Sequence, residues 1–454
     1  MMNKESLMPI KIGMVSLGCS KNLVDSERML YKLRQRGYEL VTEPGLSDIA
    51  VVNTCGFIQS AKEEAIETIL ELVTLKNEGT IKKIIITGCL SERYRDEMAK
   101  EFPEADAVIG IGKNDDIVDV IDHVLADERV IDFGNKLDLS LTGSRIVSTL
   151  PFFAYLKIAE GCSNCCTYCA IPYIRGRFRS VPMEDVIAEA KWLAENGYTE
   201  LIVIAQDSTR YGEDLYGKGM LPELLKELCR IEGIHWIRVL YCYPERISDE
   251  LIDVIASEDK IVKYLDIPIQ HCNDEILRKM NRKSSKEELT ALIKKLREKI
   301  PGITIRTTLI TGFPGETQEM FEELAEFVKE MRFERLGCFA YSQEEGTPAA
   351  SFEPQLDEEV KAHRADIIME QQQLISEEMN AQKLGGTFEA VVEGFDKWAE
   401  CYFGRMACDA PDIDGKVFFT SDSKLEIGQY VKIKINDTLD YDLIGEVTED
   451  ESAK

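Results

Sequence analysis

The chain has 454 residues, of which 44% are hydrophobic, enough apolar material for two to four packed domains. Its net charge of −28 at pH 7 argues against nucleic acid as a partner unless basic side chains cluster locally, because an acidic surface repels phosphate. No apolar run reaches the roughly 20 residues of a membrane span and the first residues lack a signal-peptide core, so we expect a cytoplasmic protein whose cysteines serve ligation or catalysis instead of disulfides.

Strands and helices alternate through the first third of the chain. Apolar runs predict buried strands at 11–17, 49–53, 83–87 and 107–110, and a helix follows each of them. Such alternation predicts a parallel sheet with helices on both faces. We assign it to an N-terminal domain of residues 9–130.

Three cysteines of this domain follow three successive strands. Cys19, Cys55 and Cys89 each lie directly after a strand and before a helix. The carboxyl ends of parallel strands meet at one edge of a sheet, so the three thiols are expected to converge there, close to helix N-termini that favour an anion. One such cysteine is explained by ordinary packing, but three in successive units indicate that they bind one metal cluster.

A second group of cysteines lies within residues 160–172, where Cys162, Cys166 and Cys169 have the spacing C-x3-C-x2-C. Three thiolates so close in sequence can hold three corners of a four-iron cluster and leave the fourth iron open to a small molecule. A structural zinc site would need a fourth protein ligand. Cys165 is the available candidate, but adjacent cysteines point in different directions.

Gly161, Tyr168 and the Ala-Ile-Pro segment at 170–172 strengthen the second motif, which resembles that of the radical S-adenosylmethionine (radical SAM) superfamily. The resemblance implies that the open iron binds the amino and carboxylate groups of SAM, whose reductive cleavage yields a 5′-deoxyadenosyl radical. With the N-terminal cysteine unit ahead of it, the whole chain resembles the methylthiotransferase family. That resemblance implies two 4Fe–4S clusters, the N-terminal one handling the sulfur to be inserted.

Six strand–helix units follow from Pro151 and predict a radical SAM domain of residues 148–378. Six units are too few for a closed eight-stranded barrel, so we expect a partial barrel with its active face at the loops that follow the strands. The predicted strands are 153–158, 201–205, 236–240, 264–269, 303–310 and 336–341. The predicted helices include 183–196, 222–230, 286–298 and 317–331, and a connecting helix at 370–380.

The resemblance also implies a set of SAM-binding positions on this face. They are Tyr168, Gln206, Arg306 and Gly312. The glycine would let the backbone approach the adenosyl group closely. His271 is a further polar residue at a strand end, and a lone histidine there is more often structural than catalytic.

Arg175, Arg177 and Arg179 form a basic run after the second cysteine motif. If this run is a strand, alternation places all three on one side, available to carboxylates of SAM or substrate, although a solvated face is the simpler explanation. The remaining cysteines show no ligand spacing, and we interpret them as packing residues. They are Cys229, Cys242, Cys272, Cys338, Cys401 and Cys408.

The last seventy residues predict a small antiparallel β-barrel of the oligonucleotide-binding type, at 381–448, which resembles a TRAM domain. Its predicted strands are 387–393, 400–405, 415–419, 430–436 and 443–447. Residues 383–447 contain seven Lys and Arg against thirteen Asp and Glu, a net charge of −6. This charge favours a basic partner over RNA, and we expect Asp412, Asp414 and Asp422 to contribute to its docking.

The whole chain is thus predicted to be an α/β multidomain enzyme, and two substrates compete within the family. One is the β-carbon of an aspartate in the twelfth protein of the small ribosomal subunit, and the other is an adenosine in tRNA. Residues 206–217 resemble the members that modify the ribosomal protein, and the acidic tail agrees with that choice. The family resemblance implies that one SAM methylates the cluster-bound sulfur, that a second yields the radical, and that the partners include a sulfur carrier and an electron donor such as flavodoxin or ferredoxin.

Overall fold

The computed structural model describes residues 9–448, in which two six-stranded parallel sheets and one closed barrel follow each other along the chain. The extreme N-terminus, for which we predict no signal-peptide core, lies outside this range. The N-terminal sheet contains β1 (Lys11–Ser16), β2 (Glu39–Val41), β3 (Ile49–Thr54), β4 (Lys83–Gly88), β5 (Ala107–Ile109) and β6 (Val130–Asp132). Its helices are α1 (Ser20–Arg36), α2 (Gln59–Asn77), α3 (Cys89–Tyr94), α4 (Asp96–Glu101) and α5 (Ile117–Leu125).

The predicted doubly wound parallel sheet is confirmed. The strand order is β2-β1-β3-β4-β5-β6, every neighbouring pair is parallel, and an apolar cluster covers each face. All six residues of β3 are buried, as expected of a strand covered on both faces. The order places β1, β3 and β4 side by side, so the three cysteine loops are neighbours.

The predicted helix near Ser91 is divided in two. It begins already at Cys89 and stops at Arg95, whose φ of 37° is incompatible with a continuous helix. The Arg95 guanidinium binds Glu92, one turn back, at 2.6 Å. The contact between Arg95 and Glu92 stabilises the interruption of the helix, which the sequence pattern did not predict.

The central domain is an open sheet of six parallel strands, which confirms the predicted partial barrel. In spatial order they are β7 (Phe153–Lys157), β10 (Glu200–Ile204), β11 (Trp236–Val239), β12 (Ile261–Asp266), β13 (Thr304–Thr311) and β14 (Arg335–Ala340). A short antiparallel ribbon adds β8 (Ala159–Glu160) and β9 (Arg179–Ser180). The helices are α6 (Ile171–Arg175), α7 (Met183–Glu195), α8 (Glu213–Tyr216), α9 (Leu221–Cys229), α10 (Asp249–Ser257), α11 (Asp274–Lys279), α12 (Lys286–Lys299), α13 (Gln318–Met331) and α14 (Glu358–Ala381).

Two predicted boundaries of this domain are wrong. The strand predicted at 264–269 begins at Ile261 and ends at Asp266, because the chain leaves the sheet before Pro268, which has no N–H to donate. The connecting helix predicted from residue 370 begins at Glu358 and packs on the last two strands of the sheet. No helix within residues 9–448 is long and apolar enough to span a membrane.

The C-terminal residues form the closed five-stranded barrel that the sequence predicts. Its strands are β15 (Thr387–Asp396), β16 (Cys401–Met406), β17 (Val417–Thr420), β18 (Tyr430–Thr438) and β19 (Leu443–Val447). All pairs are antiparallel except β17 with β19. Asp414, predicted to help dock a partner, is instead a buried acceptor for the Tyr264 hydroxyl at 2.7 Å and the Ala410 N–H at 2.8 Å.

All three parts meet on the concave face of the central sheet. Val24 of α1 and Val391 of the C-terminal barrel share one apolar cluster with the inward side chains of that sheet, such as Tyr264. Buried ion pairs reinforce both junctions. They join Asp25 to Lys157 and Arg175, Glu27 to Arg145, Glu200 to Arg405, and Asp409 to Arg335.

Candidate active site

The carboxyl edge of the N-terminal sheet brings three cysteines together. Cys19 precedes α1, Cys55 follows β3, and Cys89 is the first residue of α3. Gly18, at a φ of +85°, lies so close to Cys55 that an added Cβ would be 2.9 Å from its Sγ, so only glycine fits there. The three thiols are therefore neighbours, and each influences the ionisation of the next.

Arg175 of the central domain reaches into this group. Its Nε and Nη2 both lie 3.3 Å from the Cys89 Sγ. Burial raises the pKa of the Cys89 thiol to about 12, and the guanidinium acts against that rise. Burial alone would raise the pKa of Cys19 as well, but Lys21, Arg175 and the backbone N–H of Asn22 lower it. Positive charge thus surrounds these thiols, as a set of thiolate ligands requires.

The second cysteine group lies in the loop between β8 and α6. Burial raises the pKa of the Cys162 thiol to about 11 and raises the pKa of the Cys169 thiol still more. The nearby Cys166 also raises both pKa values. A bound metal cluster would displace these protons, because thiolate is the ligand form. Gly161 has a φ of +76°, and an added Cβ would overlap the Arg177 carbonyl, so the motif begins where two backbone segments touch.

Cys165 has surroundings different from those of Cys166. It is exposed and has a φ of +55°, and its Sγ is 3.7 Å from the Ser163 carbonyl oxygen. The Cys166 Sγ is instead 3.5 Å from the Tyr243 hydroxyl. The two adjacent thiols therefore have different partners, in keeping with the prediction that they do not bind one ion.

An aromatic and cationic cage surrounds Cys166. Burial raises the pKa of Tyr168 and Tyr243, and the nearby Cys166 acts in the same direction. The Arg282 guanidinium lies 3.8 Å from the ring centre of Tyr243. Tyr168 was predicted from its place in the motif. Tyr243 and Arg282 lie 77 and 116 residues beyond Cys166, and no local sequence signal marks them.

Gln206 shows a feature that suits SAM. Its Nε2 donates to Glu160 Oε1 at 2.7 Å, and its own Oε1 is buried without a hydrogen-bond partner among residues 9–448. A buried acceptor left open suits a donor such as the amino group of a ligand. Arg306, also predicted to bind SAM, already donates to Asp266 at 3.0 Å and lies 3.7 Å from Asp414.

Gly312 lies against helix α14, which leaves no room for a side chain at this position. Its φ is +72°, and an added Cβ would be 2.8 Å from the Lys361 Cβ of α14. Its N–H donates to Glu316, which also faces the buried His271 at 3.4 Å and binds Arg364. His271 Nδ1 accepts the Asn273 N–H at 2.9 Å, its Nε2 has no hydrogen-bond partner among residues 9–448, and its structural role stays a prediction. The approach that the structure shows at Gly312 is to Lys361, and an approach to an adenosyl group stays a prediction.

The three arginines of the basic run do not share a strand face. Arg175 ends α6 and is buried, Gly176 turns the chain with a φ of +78°, and Arg177 is exposed. Arg179 lies in β9 and donates to the Leu137 carbonyl. The expected alternation is therefore wrong, because a glycine turn interrupts the run. Of the six cysteines without ligand spacing, two are buried and four are half-buried.

The spacing of the thiols bears on which metal they would hold. Within the described chain, no three His, Cys, Asp or Glu side chains are close enough to ligate a single ion. The thiolates on a four-iron cluster each bind a different iron and lie farther apart than the ligands of one zinc. Both groups consist of free cysteines, whose thiolates are the ligands of iron–sulfur clusters, and their assignment to two clusters stays a prediction.

Family models match all three parts of the chain. Residues 156–328 match the radical SAM superfamily, residues 11–110 match the uncharacterized protein family UPF0004, and residues 384–448 match the TRAM domain. The radical SAM match contains the second cysteine group, and the UPF0004 match contains all three cysteines of the first.

Curated relatives match along almost their whole length, and all three described here carry the name ribosomal protein uS12 methylthiotransferase RimO. That of Lachnoclostridium phytofermentans is 52% identical and that of Thermoanaerobacter sp. (strain X514) is 49% identical, each over 96% of this chain and 99% of the relative. The relative from Clostridium botulinum (strain Eklund 17B / Type B) is 51% identical over 98% of this chain and 99% of the relative.

Among solved structures, the chain resembles the radical SAM methyltransferase TsrM from Kitasatospora setae. The TM-score is 0.57 over 84% of this chain and 79% of that one, at 12% sequence identity. At so low an identity, the likeness concerns the fold alone.

Proposed function

Since the chain belongs to the RimO family of radical SAM methylthiotransferases, we propose that it transfers a methylthio group to ribosomal protein uS12. The observation that carries the proposal is the meeting of two cysteine groups from different sheets at one domain junction. Arg175 lies in the helix that follows the loop of one group, and its guanidinium contacts the Cys89 Sγ of the other group. An enzyme that must combine a radical with a sulfur donor needs two centres that face a common space.

In this proposal, Cys162, Cys166 and Cys169 hold the cluster that binds SAM, and Gln206 accepts a hydrogen bond from the SAM amino group. The N-terminal cysteines hold the second cluster, which carries the sulfur. They are Cys19, Cys55 and Cys89. When bound, these groups supply radical and sulfur chemistry that no amino acid side chain offers, and the protein contributes binding and position. We place the reaction at the β-carbon of an aspartate of uS12.

Residues 206–217 support a protein substrate at this site by their position. Asp207 accepts a hydrogen bond from Asn164 at 2.7 Å, and Arg210 donates to the same asparagine at 3.3 Å. Asp214 anchors the far end of the stretch by accepting from Ser180. The stretch that resembles the protein-modifying enzymes therefore packs directly on the loop of the second cysteine group.

The domains in this proposal are those that the sequence predicts, residues 9–130, 148–378 and 381–448. The C-terminal barrel, with its net charge of −6, favours the basic surface of a ribosomal protein over tRNA. The reaction further requires a low-potential electron donor, such as flavodoxin or ferredoxin, and a carrier that renews the sulfur. We propose that it takes place in the cytoplasm.

The decisive experiment is an anaerobic reaction of the reconstituted enzyme with uS12 and, separately, with tRNA. Two four-iron clusters predict about eight irons per chain. Mass spectrometry should then find methylthio addition on an aspartate of uS12 and none on tRNA. Zinc, or about four irons, would contradict the two-cluster arrangement. Modification of an adenosine instead of the protein would place the enzyme with the tRNA-modifying members.

A further inference from the structure

Within the part of the chain that the structure describes, buried positive charges are paired, with one exception. Eleven lysine and arginine side chains within residues 9–448 are buried, and ten of them lie within 4.0 Å of a carboxylate oxygen. The exception is Lys21, which is 6% exposed. A buried ammonium without a counter-charge costs free energy unless a ligand supplies one. Lys21 therefore suits an anion that the described chain does not contain.

Lys21 lies between the two cysteine groups. It belongs to the first turn of α1, two residues after Cys19. On its other side is the loop after β11, where the ring of Tyr241 lies 3.2 Å from the Lys21 Nζ. Two residues farther along this loop, the Tyr243 hydroxyl is 3.5 Å from the Cys166 Sγ. The ammonium thus projects from the N-terminal domain toward a loop that contacts the SAM-binding motif.

The side chains around the ammonium hold it in place without neutralising it. Tyr241 has a φ of +62°, an unfavourable conformation for a tyrosine, and its N–H donates to Asp266 at 3.1 Å. The other carboxylate oxygen of Asp266 accepts from Arg306 at 3.0 Å. Asp266, whose charge acts on Lys21, is therefore already engaged by a guanidinium and a backbone N–H, and the closest contact of the ammonium is the ring of Tyr241.

Cys19 is the alternative partner, because its thiolate would also attract the ammonium. That cysteine already has other stabilising contacts, namely the N-terminal N–H groups of α1 and the charge of Arg175. Lys21 differs from them in reaching past Cys19 to the far side of the junction. Its contact with Tyr241 places the ammonium at the boundary of the N-terminal and central domains, beside the loop that reaches Cys166.

We propose that Lys21 binds the carboxylate of the substrate side chain and thereby selects an acidic residue for modification. The proposal rests on the function proposed above, since it assumes a uS12 aspartate as the target. The ammonium pairs with the carboxylate oxygens and leaves the adjacent β-carbon facing the junction. The ring of Tyr241 limits the movement of the lysine. An asparagine or an adenine at the same position offers no charge to this ammonium.

The test is a double-mutant cycle of anaerobic binding with SAM present. The Lys21→Met enzyme keeps the length of the side chain and its contact with Tyr241 but loses the charge. The second change is uS12 with its target aspartate replaced by asparagine. Either change alone should weaken binding about 30-fold, and both together should weaken it no further, because each removes the same ion pair.

Matched variants separate this role from an effect on the cluster or on folding. Lys32→Met, on the same helix but paired with Asp115 at the surface, should bind both forms of uS12 like the wild type. Lys21→Arg should keep the preference for aspartate. If Lys21→Met does not fold, Lys21→Gln replaces it. Lys32→Met should keep the iron content and SAM cleavage of the wild type, and both are measured in every Lys21 variant so that uS12 binding is compared at equal iron content.

Three results would overturn the proposal. In the first, the two losses add, so the lysine does not contact the carboxylate. In the second, Lys21→Met loses iron or shifts the potential of the N-terminal cluster and still prefers aspartate, so the lysine serves Cys19. In the third, SAM binding falls instead of uS12 binding, so the carboxylate belongs to SAM. A wild-type enzyme that modifies no uS12 would contradict the proposed function itself.

Discussion

Cys165 and Cys166 are neighbours in the chain, and their different surroundings make them a test of the ligand set. Cys165→Ala should keep about eight irons and normal SAM cleavage, because the exposed thiol is not a ligand in the proposed site. Cys166→Ala should lose about four irons and all 5′-deoxyadenosine formation. Iron analysis and chromatography of the nucleoside measure both. Loss of iron in the Cys165 variant would show that the other cysteine of the pair binds the cluster.

Arg175 should set the reduction potential of the N-terminal cluster. Its two N–H donors at Cys89 stabilise the additional negative charge of a reduced cluster, so fewer donors mean a lower potential. Arg175→Lys, in an enzyme whose SAM-binding cysteines are replaced by alanine, should therefore give a lower midpoint in a redox titration followed by electron paramagnetic resonance. The exposed Arg177, changed to Lys, serves as the control. Equal midpoints would mean that Arg175 has only a structural role.

The role of a single residue could be predicted where it belongs to a motif with short sequence spacing. The cysteines of the second motif lie within one loop, and Tyr168 lies among them. A strand through Arg175 would have placed it on one side with Arg177 and Arg179, but the turn at Gly176 separates them. Lys21 and Tyr241 could not have been paired at all, because 220 residues separate them and only the assembled domains bring them into contact.

Strands and helices with a long apolar pattern were predicted to within a few residues. The six strands of the central sheet are all present, since each is a buried run bounded by polar turns. The short edge strands β2 and β6 were missed, because three residues are too few for a pattern. The start of α14 was placed twelve residues late, because charged residues on its exposed face obscure its first turns.

The junction between the central sheet and the C-terminal barrel should depend on pH through Glu200. Burial alone would raise its pKa, but Arg405 and Arg238 lower it. A lowered folded-state pKa means that the carboxylate stabilises the protein fully above its unfolded pKa of about 4.3, and that this contribution is lost as the pH falls toward the folded value. Burial raises the pKa of Glu393, so the ionisation of this carboxyl has the opposite effect on stability. Glu393 is unchanged in the Glu200 variant described next.

Glu200→Gln should accordingly lower the urea midpoint of the cluster-free protein at pH 7, by the equivalent of about 3–5 kcal/mol, because the buried Arg238 loses its carboxylate partner and the buried Arg405 keeps only Glu393. The difference from the wild type should shrink as the pH approaches 3. Asp122→Asn, which breaks an exposed pair with Arg36, should change the midpoint little at any pH. A constant difference between pH 7 and pH 3 would exclude this carboxylate as the source.

Across the whole chain, the two cysteine groups should be functionally separable. An enzyme with Cys19, Cys55 and Cys89 all changed to Ala should still cleave SAM to 5′-deoxyadenosine, because the other cysteine group lies in another sheet. It should not transfer a methylthio group, because the proposed sulfur carrier is gone. Mass spectrometry of uS12 and of the nucleoside products measures both reactions. Transfer by this variant would mean that the sulfur comes from another source.

The acidic C-terminal barrel should contribute to binding through its exposed charges only. Asp412 and Asp422 are exposed, whereas Asp414 is buried. Asp412→Asn, which suits its φ of 68°, combined with Asp422→Lys should weaken uS12 binding roughly three- to tenfold at low salt. Screening should abolish the difference as the salt concentration rises. The same charge change on α2, Glu64→Gln with Glu67→Lys, is the control, and an equal loss there would indicate a nonspecific effect.

The difference in sequence span between the two cysteine groups should also affect how the proposed clusters assemble. Residues 162–169 contain the whole proposed ligand set of the SAM-binding cluster, so we expect this stretch to bind iron without a folded sheet. The other set spans residues 19–89 and exists only after β1, β3 and β4 have aligned. Iron uptake at the proposed N-terminal centre therefore requires a folded domain. Unfolded protein should bind iron at residues 162–169 and not at the three N-terminal cysteines.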